Sequence, residues 1–282
     1  DEYSNKIGNI IIGNVHQIQK DRIFVICEDK ELILPKSEQM PNDRYRRGES
    51  LRAVVKKVDI TSRGPEVIIS RSDNQFLEKL FALEVPEIDD DIIEIKTVSR
   101  CPGDRSKIIV YSSDKRIDAV GACVGMKGMR IQSIVRELNG EKIDIINWSE
   151  QPEILISRAL SPARPLDLYI DEDRSYAVAV FEDEDLAIAI GRNGQNIKLV
   201  SKITGYTVDA MSKDQYDGND KADNEDDSLD FLSSKIKDIL SENNINTIED
   251  LIANKDDISE LKGIGPKTLE KIKEKISENE QA

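Results

Sequence analysis

Histidine is nearly absent from this 282-residue chain, His16 being the only one. It has no metal-ligand companion at useful spacing, and no histidine lies near Cys123 to activate it as a nucleophile. Cysteine is scarce too. Cys27, Cys101 and Cys123 are odd in number, far apart and without a Cys-x-x-Cys pair, which argues against a disulfide framework or a zinc site and fits reduced thiols in apolar stretches. No metal and no cofactor are expected. No apolar run approaches the ~20 residues of a membrane span, and no charged-then-apolar leader opens the chain, so a cytoplasmic protein without a membrane partner is expected. Catalysis finds little support elsewhere. The segment from Gly121 to Lys127 has the wrong spacing for a phosphate loop and no Ser or Thr after the lysine, and Asp89-Asp90-Asp91 reads as a solvated loop.

The chain carries 40 basic and 55 acidic side chains, a net charge of −15, which by itself argues against a phosphate-rich partner. The excess is unevenly spread. Residues 1–76 hold 13 basic and 12 acidic side chains, whereas residues 212–282 hold 10 and 19. Local basic patches therefore remain possible in the body of the chain.

Five short alternating apolar runs fill the first 70 or so residues, from Ile10-Ile11-Ile12 through Arg22–Cys27, Glu31–Pro35 and Leu51–Val58 to Glu66–Arg71. That density of strands predicts a small closed barrel of OB type over 1–73. His16, Phe24 or Tyr45 would be its base-stacking rings, and the pattern leaves open which of them faces outward. After a connector helix over 75–85, ended by Pro86, the order strand, strand, helix, glycine turn, helix, strand predicts a domain over 74–150. The same order recurs over 151–211. Val120 aligns with Leu186, Val124 with Ile190, Ile131 with Ile197 and Ile134 with Val200, and at the centre of each copy lies a Gly-x-x-Gly turn, Gly125-Met126-Lys127-Gly128 and Gly191-Arg192-Asn193-Gly194. Leu160-Ser161-Pro162-Ala163-Arg164-Pro165 reads as a stiff joint between the copies. Residues 212–228 are polar and acidic and predict a flexible linker. Beyond them, 229–282 predicts a small all-helical domain whose Gly263-Ile264-Gly265 turn, followed by Lys267, is a helix-hairpin-helix pattern. Its backbone N–H groups suit a DNA phosphate, though a protein-docking role is the favoured reading.

Duplicated surroundings give the glycine turns their weight. A turn with no Cβ at either end admits a phosphate backbone, and the helix that follows presents unpaired N–H groups and its positive dipole end. This is the clamp of a KH domain, which grips about four nucleotides. The predicted RNA contacts are Gly125, Met126, Lys127, Gly128, Arg130 and Ile131 in the first copy, and Gly191, Arg192, Asn193, Gly194, Gln195, Asn196 and Lys198 in the second. The fold class is then multidomain α+β: an S1/OB barrel, two tandem type II KH domains and a helix-hairpin-helix domain.

These residues resemble one family closely, the bacterial transcription termination/antitermination factor NusA, over about residues 3–211. Leu80-Phe81-Ala82-Leu83-Glu84-Val85-Pro86-Glu87-Ile88, Val120–Gly125, Glu137–Asp144, Leu160–Ala163 and Ala189–Asn196 carry the resemblance. It implies a factor that rides on bacterial RNA polymerase, binds emerging RNA and modulates pausing, termination and antitermination; a non-enzymatic, monomeric protein that holds single-stranded RNA is expected. The polymerase-docking helical domain of the family has no counterpart among these residues. The C-terminal module, by the same resemblance, would engage the polymerase α subunit or antitermination factors, or mask the RNA surface through Asp217–Asp230. A phosphorolytic exoribonuclease fits less well, because it orders its modules KH then S1 and carries one KH.

Overall fold

The computed structural model describes residues 3–216, 229, 232, 234–243, 245–255, 258, 261 and 264–279. The chain divides into two compact units, Asp1–Ser212 and Lys213–Ala282.

Alternation of apolar and polar residues builds the start of the first unit. β1 (Ile10–Ile18), β2 (Arg22–Cys27), β3 (Lys30–Pro35), β4 (Ser50–Thr61) and β5 (Gly64–Ser70) close into a barrel in the order β1-β2-β3-β5-β4, with β3 and β5 parallel. Every second side chain turns inward, and Ile11, Val15, Val25, Leu32, Leu34, Ala53, Val55 and Ile69 share one core. This is the strand order of an OB-type barrel.

Asp73 then accepts a hydrogen bond from the Gln75 N–H and caps α1 (Asn74–Glu84). Pro86 ends that helix and opens the next, α2 (Pro86–Asp89), at a position where its missing N–H costs nothing. The first KH unit continues with β6 (Glu94–Cys101), β7 (Arg105–Tyr111), α3 (Ala119–Val124), α4 (Met129–Glu137) and β8 (Lys142–Asn147). Its sheet runs β6-β7-β8, antiparallel then parallel. The second copy repeats this with α5 (Pro152–Ala159), β9 (Asp167–Asp171), β10 (Tyr176–Phe181), α6 (Asp183–Ile190), α7 (Gln195–Thr204) and β11 (Thr207–Ser212), its sheet ordered β9-β10-β11 with β10 and β11 parallel.

Three buried cations join these parts. Arg71, at the end of the barrel, is 3% exposed; it donates to Asp43 and to both the carboxylate and the carbonyl of Glu137 at the end of α4. Arg100 on β6 meets Glu141 through two bonds of 2.9 and 2.8 Å and also donates to the carbonyls of Arg71 and Asp73. Met40 and Val54 of the barrel pack into the core of the first KH unit beside this network. Between the two KH units, Ile109 and Ile146 leave their own sheet to enter the core of the second copy, and α7 packs across β6 and β7. There Lys107, fully buried, donates to Asp144 and to the Ser161 carbonyl, each at 2.8 Å.

The second unit packs α8 (Ser234–Glu242), α9 (Ile248–Ala253) and α10 (Pro266–Asn279) around Leu240, Ile245, Leu251, Ile272 and Ile276. A reciprocal capping box starts α9: the Thr247 hydroxyl accepts from the Asp250 N–H, and the Asp250 carboxylate accepts from the Thr247 N–H, each at 3.1 Å. Gly265 leads directly into α10, receiving the N–H groups of Thr268 and Leu269 on its carbonyl. Of the expected hairpin, Gly263 lies outside the described residues, as does the side chain of Lys267. Of the expected acidic linker, Ser212 closes β11, residues 213–216 form a helical turn, and 217–228 lie outside the described residues. Asp230, the last of the expected masking residues, lies outside them too.

Removing one member of a buried ion pair strands the other, at a cost of about 3–5 kcal/mol. Glu141→Ala should therefore lower unfolding stability by that order in urea melts, and Arg100→Met with Glu141→Leu should recover part of it. Asp144 gives a pH signature. Burial pushes its carboxyl up, but the bonds and charges of Arg105 and Lys107 outweigh burial and hold it below the ordinary 3.8. A carboxyl lowered on folding stabilises fully above its unfolded pKa and loses that contribution as pH falls through the folded one. Thermal melts should show stability falling below about pH 4, and Asp144→Asn should be less stable at neutral pH and flatter through that acid range.

Candidate nucleic-acid interface

The two glycine turns have the same backbone. Gly125 sits at φ 76°, ψ 172° and Gly191 at φ 72°, ψ 172°; Gly128 and Gly194 follow at φ 75° and 71°. Between them Lys127 and Asn193 adopt left-handed angles of φ 53° and 54°. Such φ values suit glycine because an L side chain is strained there. The first glycine of each turn has a second reason. A Cβ on Gly125 would lie 2.7 Å from Cγ of Arg130, and one on Gly191 would lie 2.8 Å from Cβ of Asn196. The second residue of the following helix folds beneath the turn and leaves no room.

That packing corrects two of the sequence expectations. Arg130 is half-buried, donating to the Ala122 carbonyl at 2.7 Å and to Glu87 at 3.0 Å, so its guanidinium braces the turn from below. Asn196 is 2% exposed and donates to the Ala189 carbonyl at 2.9 Å. Both tie the start of the second helix to the end of the first, which fixes the turn's shape. Neither side chain faces the approach that a phosphate would take. Ile131 is half-buried against the core of its own unit.

The outward groups are different in the two copies. Around the first turn stand Met126, 81% exposed, Met129, 69% exposed, and the exposed Lys127. Around the second stand Arg192, Asn193 and Lys198, all exposed, with Gln195 half-buried. Arg192 makes an exposed ion pair of 3.3 Å with Asp104 in the β6–β7 turn of the first copy. No side chain caps α4 or α7; the first N–H group of each, on Met129 and Gln195, bonds the Met126 and Arg192 carbonyls within the turn. The positive dipole ends of these helices, nine and ten residues long, lie at the two turns.

The barrel offers less. His16 is exposed at the bulge where β1 slips against β2, and Phe24 is half-buried opposite Gln17. Tyr45 is half-buried as well. Its hydroxyl donates to Asp43 at 2.8 Å and its ring packs on the barrel core, and burial with the Asp43 charge pushes its pKa up. Sequence reading passed over a cleft of about 430 Å³ between the barrel and the first KH unit, lined in part by Arg44, Arg52 and Arg136. Its one visible signal was the run Arg44-Tyr45-Arg46-Arg47. Among the described residues no group of three His, Cys, Asp or Glu side chains is placed to hold a metal ion, and no helix is long and apolar enough to cross a membrane. In the second unit Ile264 is half-buried and Gly265 is exposed.

Comparison with known proteins bears on residues 71–278. Residues 71–148 match the NusA-like first KH domain, residues 152–218 the NusA-like second KH domain, and residues 212–278 the C-terminal domain of the bacterial RNA polymerase alpha chain. The chain is 42% identical over 212 residues to the transcription termination/antitermination protein NusA of Bacillus subtilis, covering 75% of this chain and 57% of that protein. It is 42% identical over 217 residues to NusA of Rickettsia prowazekii, covering 76% of this chain and 43% of that protein. The chain thus spans roughly half the length of these relatives. Two NusA-like KH domains in tandem, each built around one of the paired turns, with identity running well beyond them, place this chain in the NusA family.

Proposed function

We propose that the chain holds single-stranded nascent RNA on its two KH turns and, without catalysing a reaction of its own, modulates pausing, termination and antitermination by bacterial RNA polymerase. The observation that carries this reading is the pair of superposable glycine turns, each at the uncapped start of a cationic helix. Each turn receives a phosphate on backbone N–H groups, with Lys127 in one and Arg192 in the other supplying charge. Arg192 exchanges Asp104 for the phosphate as RNA arrives, an easy exchange for a pair this exposed. RNA polymerase is the protein partner that the relatives' role in termination supports, in the compartment where RNA is made. The likeness of the second unit to the polymerase alpha C-terminal domain supports a docking role for that unit, toward polymerase or antitermination factors.

Fluorescence anisotropy with a labelled single-stranded RNA of about 12 nucleotides, enough for both turns, tests the clamp. Lys127→Asp with Arg192→Asp should weaken binding by about tenfold or more, and between about 50 and 200 mM salt should lower the slope of log affinity against log salt by about 0.7 for each phosphate the variant no longer neutralises. Unchanged affinity in a variant whose circular dichroism is native would overturn the reading. A second variant probes the backbone approach: Gly194→Asp, where a Cβ meets only Cε of Lys198 at 3.9 Å but φ 71° strains an L residue by about 1–2 kcal/mol, should lose some stability, keep a native circular dichroism spectrum and lose RNA.

A further inference from the structure

In the first KH unit, the sheet face turned away from its own helices is a docking surface already in use. Ile109 and Ile146 on that face are 1% and 3% exposed because the second copy covers them, and α7 lies across β6 and β7. The covering helix is basic and amphipathic: Leu199 is 1% exposed, while Lys198 and Lys202 are exposed beside it. Both lysines are close enough to Cys101, at the end of β6, to act on its thiol.

The second copy has the same sheet and therefore the same face. Ala177, Ala179, Leu168, Ile170 and Val208 turn into its core. The alternate residues turn away: Tyr169 on β9 pairs across to Val178 on β10, and Val178 pairs across to Asp209 on β11. Tyr169 is 43% exposed, and Tyr176 and Val178 are half-buried. Asp167, Asp171 and Asp209 surround this apolar centre, and the tyrosine hydroxyls donate to two of them, Tyr169 to Asp167 at 3.0 Å and Tyr176 to Asp209 at 2.7 Å. Arg174 pairs loosely with Asp171 at 3.5 Å.

One difference between the copies sets the chemistry of the occupant. In the first, Lys107 stands across from Asp144, neutralises it and reaches the Ser161 carbonyl of the covering segment. In the second, the residue across from Asp209 is Val178. The face thus supplies carboxylates and no lysine at this position, so the cation must come from whatever covers it. Three carboxylates repel phosphate, which sets this face apart from the RNA turns.

We infer that the outer sheet face of the second KH unit binds an amphipathic helix of a partner protein, with an aliphatic stripe flanked by Lys or Arg, as the first unit's face binds α7. Such a helix lays its apolar stripe on Tyr169, Tyr176 and Val178 and sets its cations against Asp167, Asp171 and Asp209. This goes beyond the RNA reading and stands without it.

The probe is α7 itself, as a fluorescein-labelled, side-chain-stapled peptide of residues 195–206 titrated with the intact chain. Saturable micromolar binding that weakens with salt is expected. Asp209→Lys and Asp167→Lys, both at exposed positions, should each weaken it by about tenfold, while RNA affinity, read in the same preparations, does not fall. A peptide with Lys198 and Lys202 replaced by Glu should not bind. Absence of saturable binding, or equal binding by both aspartate variants, would overturn the proposal. So would displacement of the peptide by RNA, which assigns the face to nucleic acid, or a dimer in sedimentation that Val178→Glu disperses, which assigns it to a second copy.

Discussion

Arg71 and Arg100 are almost wholly removed from water, and a guanidinium so placed must find carboxylates and carbonyls or be expelled. The groups it finds here come from three separate parts of the chain. Asp43 lies in the barrel's long loop, Glu137 at the end of α4, and Glu141 before β8. Satisfying both arginines therefore requires the barrel and the first KH unit to form together. Arg100 also donates to the Arg71 carbonyl, so the two sites are one network rather than two. A network of this kind gives geometry more than net stability, because the cost of removing charges from water cancels much of the attraction. Its geometry places the cleft lined by Arg44, Arg52 and Arg136 at the end of the helix that starts at the first glycine turn.

Lys107 does the same at the next boundary. Burial pushes its ammonium pKa below the ordinary value, Asp144 opposes that shift, and the Ser161 carbonyl takes another of its bonds. With Ile109 and Ile146 sunk in the neighbouring core, the sheet of one KH unit becomes the floor of the next. The two glycine turns are then fixed relative to each other. For the proposed clamp this matters, since of two contacts at fixed separation the second forms at high effective concentration.

The parts that were legible in the sequence are those governed by local rules. Strand alternation marked the barrel because one face of each strand is dry and the other wet. The two KH units were legible because φ near +75° restricts residue choice to glycine, and the same restriction appeared twice in matching surroundings. Arg130 and Asn196 were misread for a reason of the same physics. At the start of a helix after a phosphate-admitting turn, a polar side chain serves as a phosphate donor or as a brace under the turn, and sequence does not distinguish the two. What decides is the contact beneath the first glycine, a distance in three dimensions. The buried cations were equally invisible, because Arg71, Arg100 and Lys107 occur among residues that elsewhere lie on the surface, and their partners are 28 to 66 residues away. The sheet face of the second KH unit was hidden for another reason: Asp209 reads as an ordinary surface carboxylate until the register sets it across from Val178.

Net charge is the quantity most changed by the structure. A total of −15 counts every carboxylate alike, yet Asp43, Glu137, Glu141 and Asp144 are already engaged by arginine and lysine within the fold. A paired charge contributes little field beyond its partner. Lys127, Arg192 and Lys198 remain outward on the turns, and at physiological ionic strength a charge is felt over roughly 8 Å. Over such a range the field at a glycine turn is set by its immediate neighbours rather than by the total. As ionic strength falls, the screening length grows and the total begins to count against RNA, while counterion release strengthens each phosphate contact. The two trends oppose each other, so the salt dependence of this chain reports the difference between a basic site and an acidic protein.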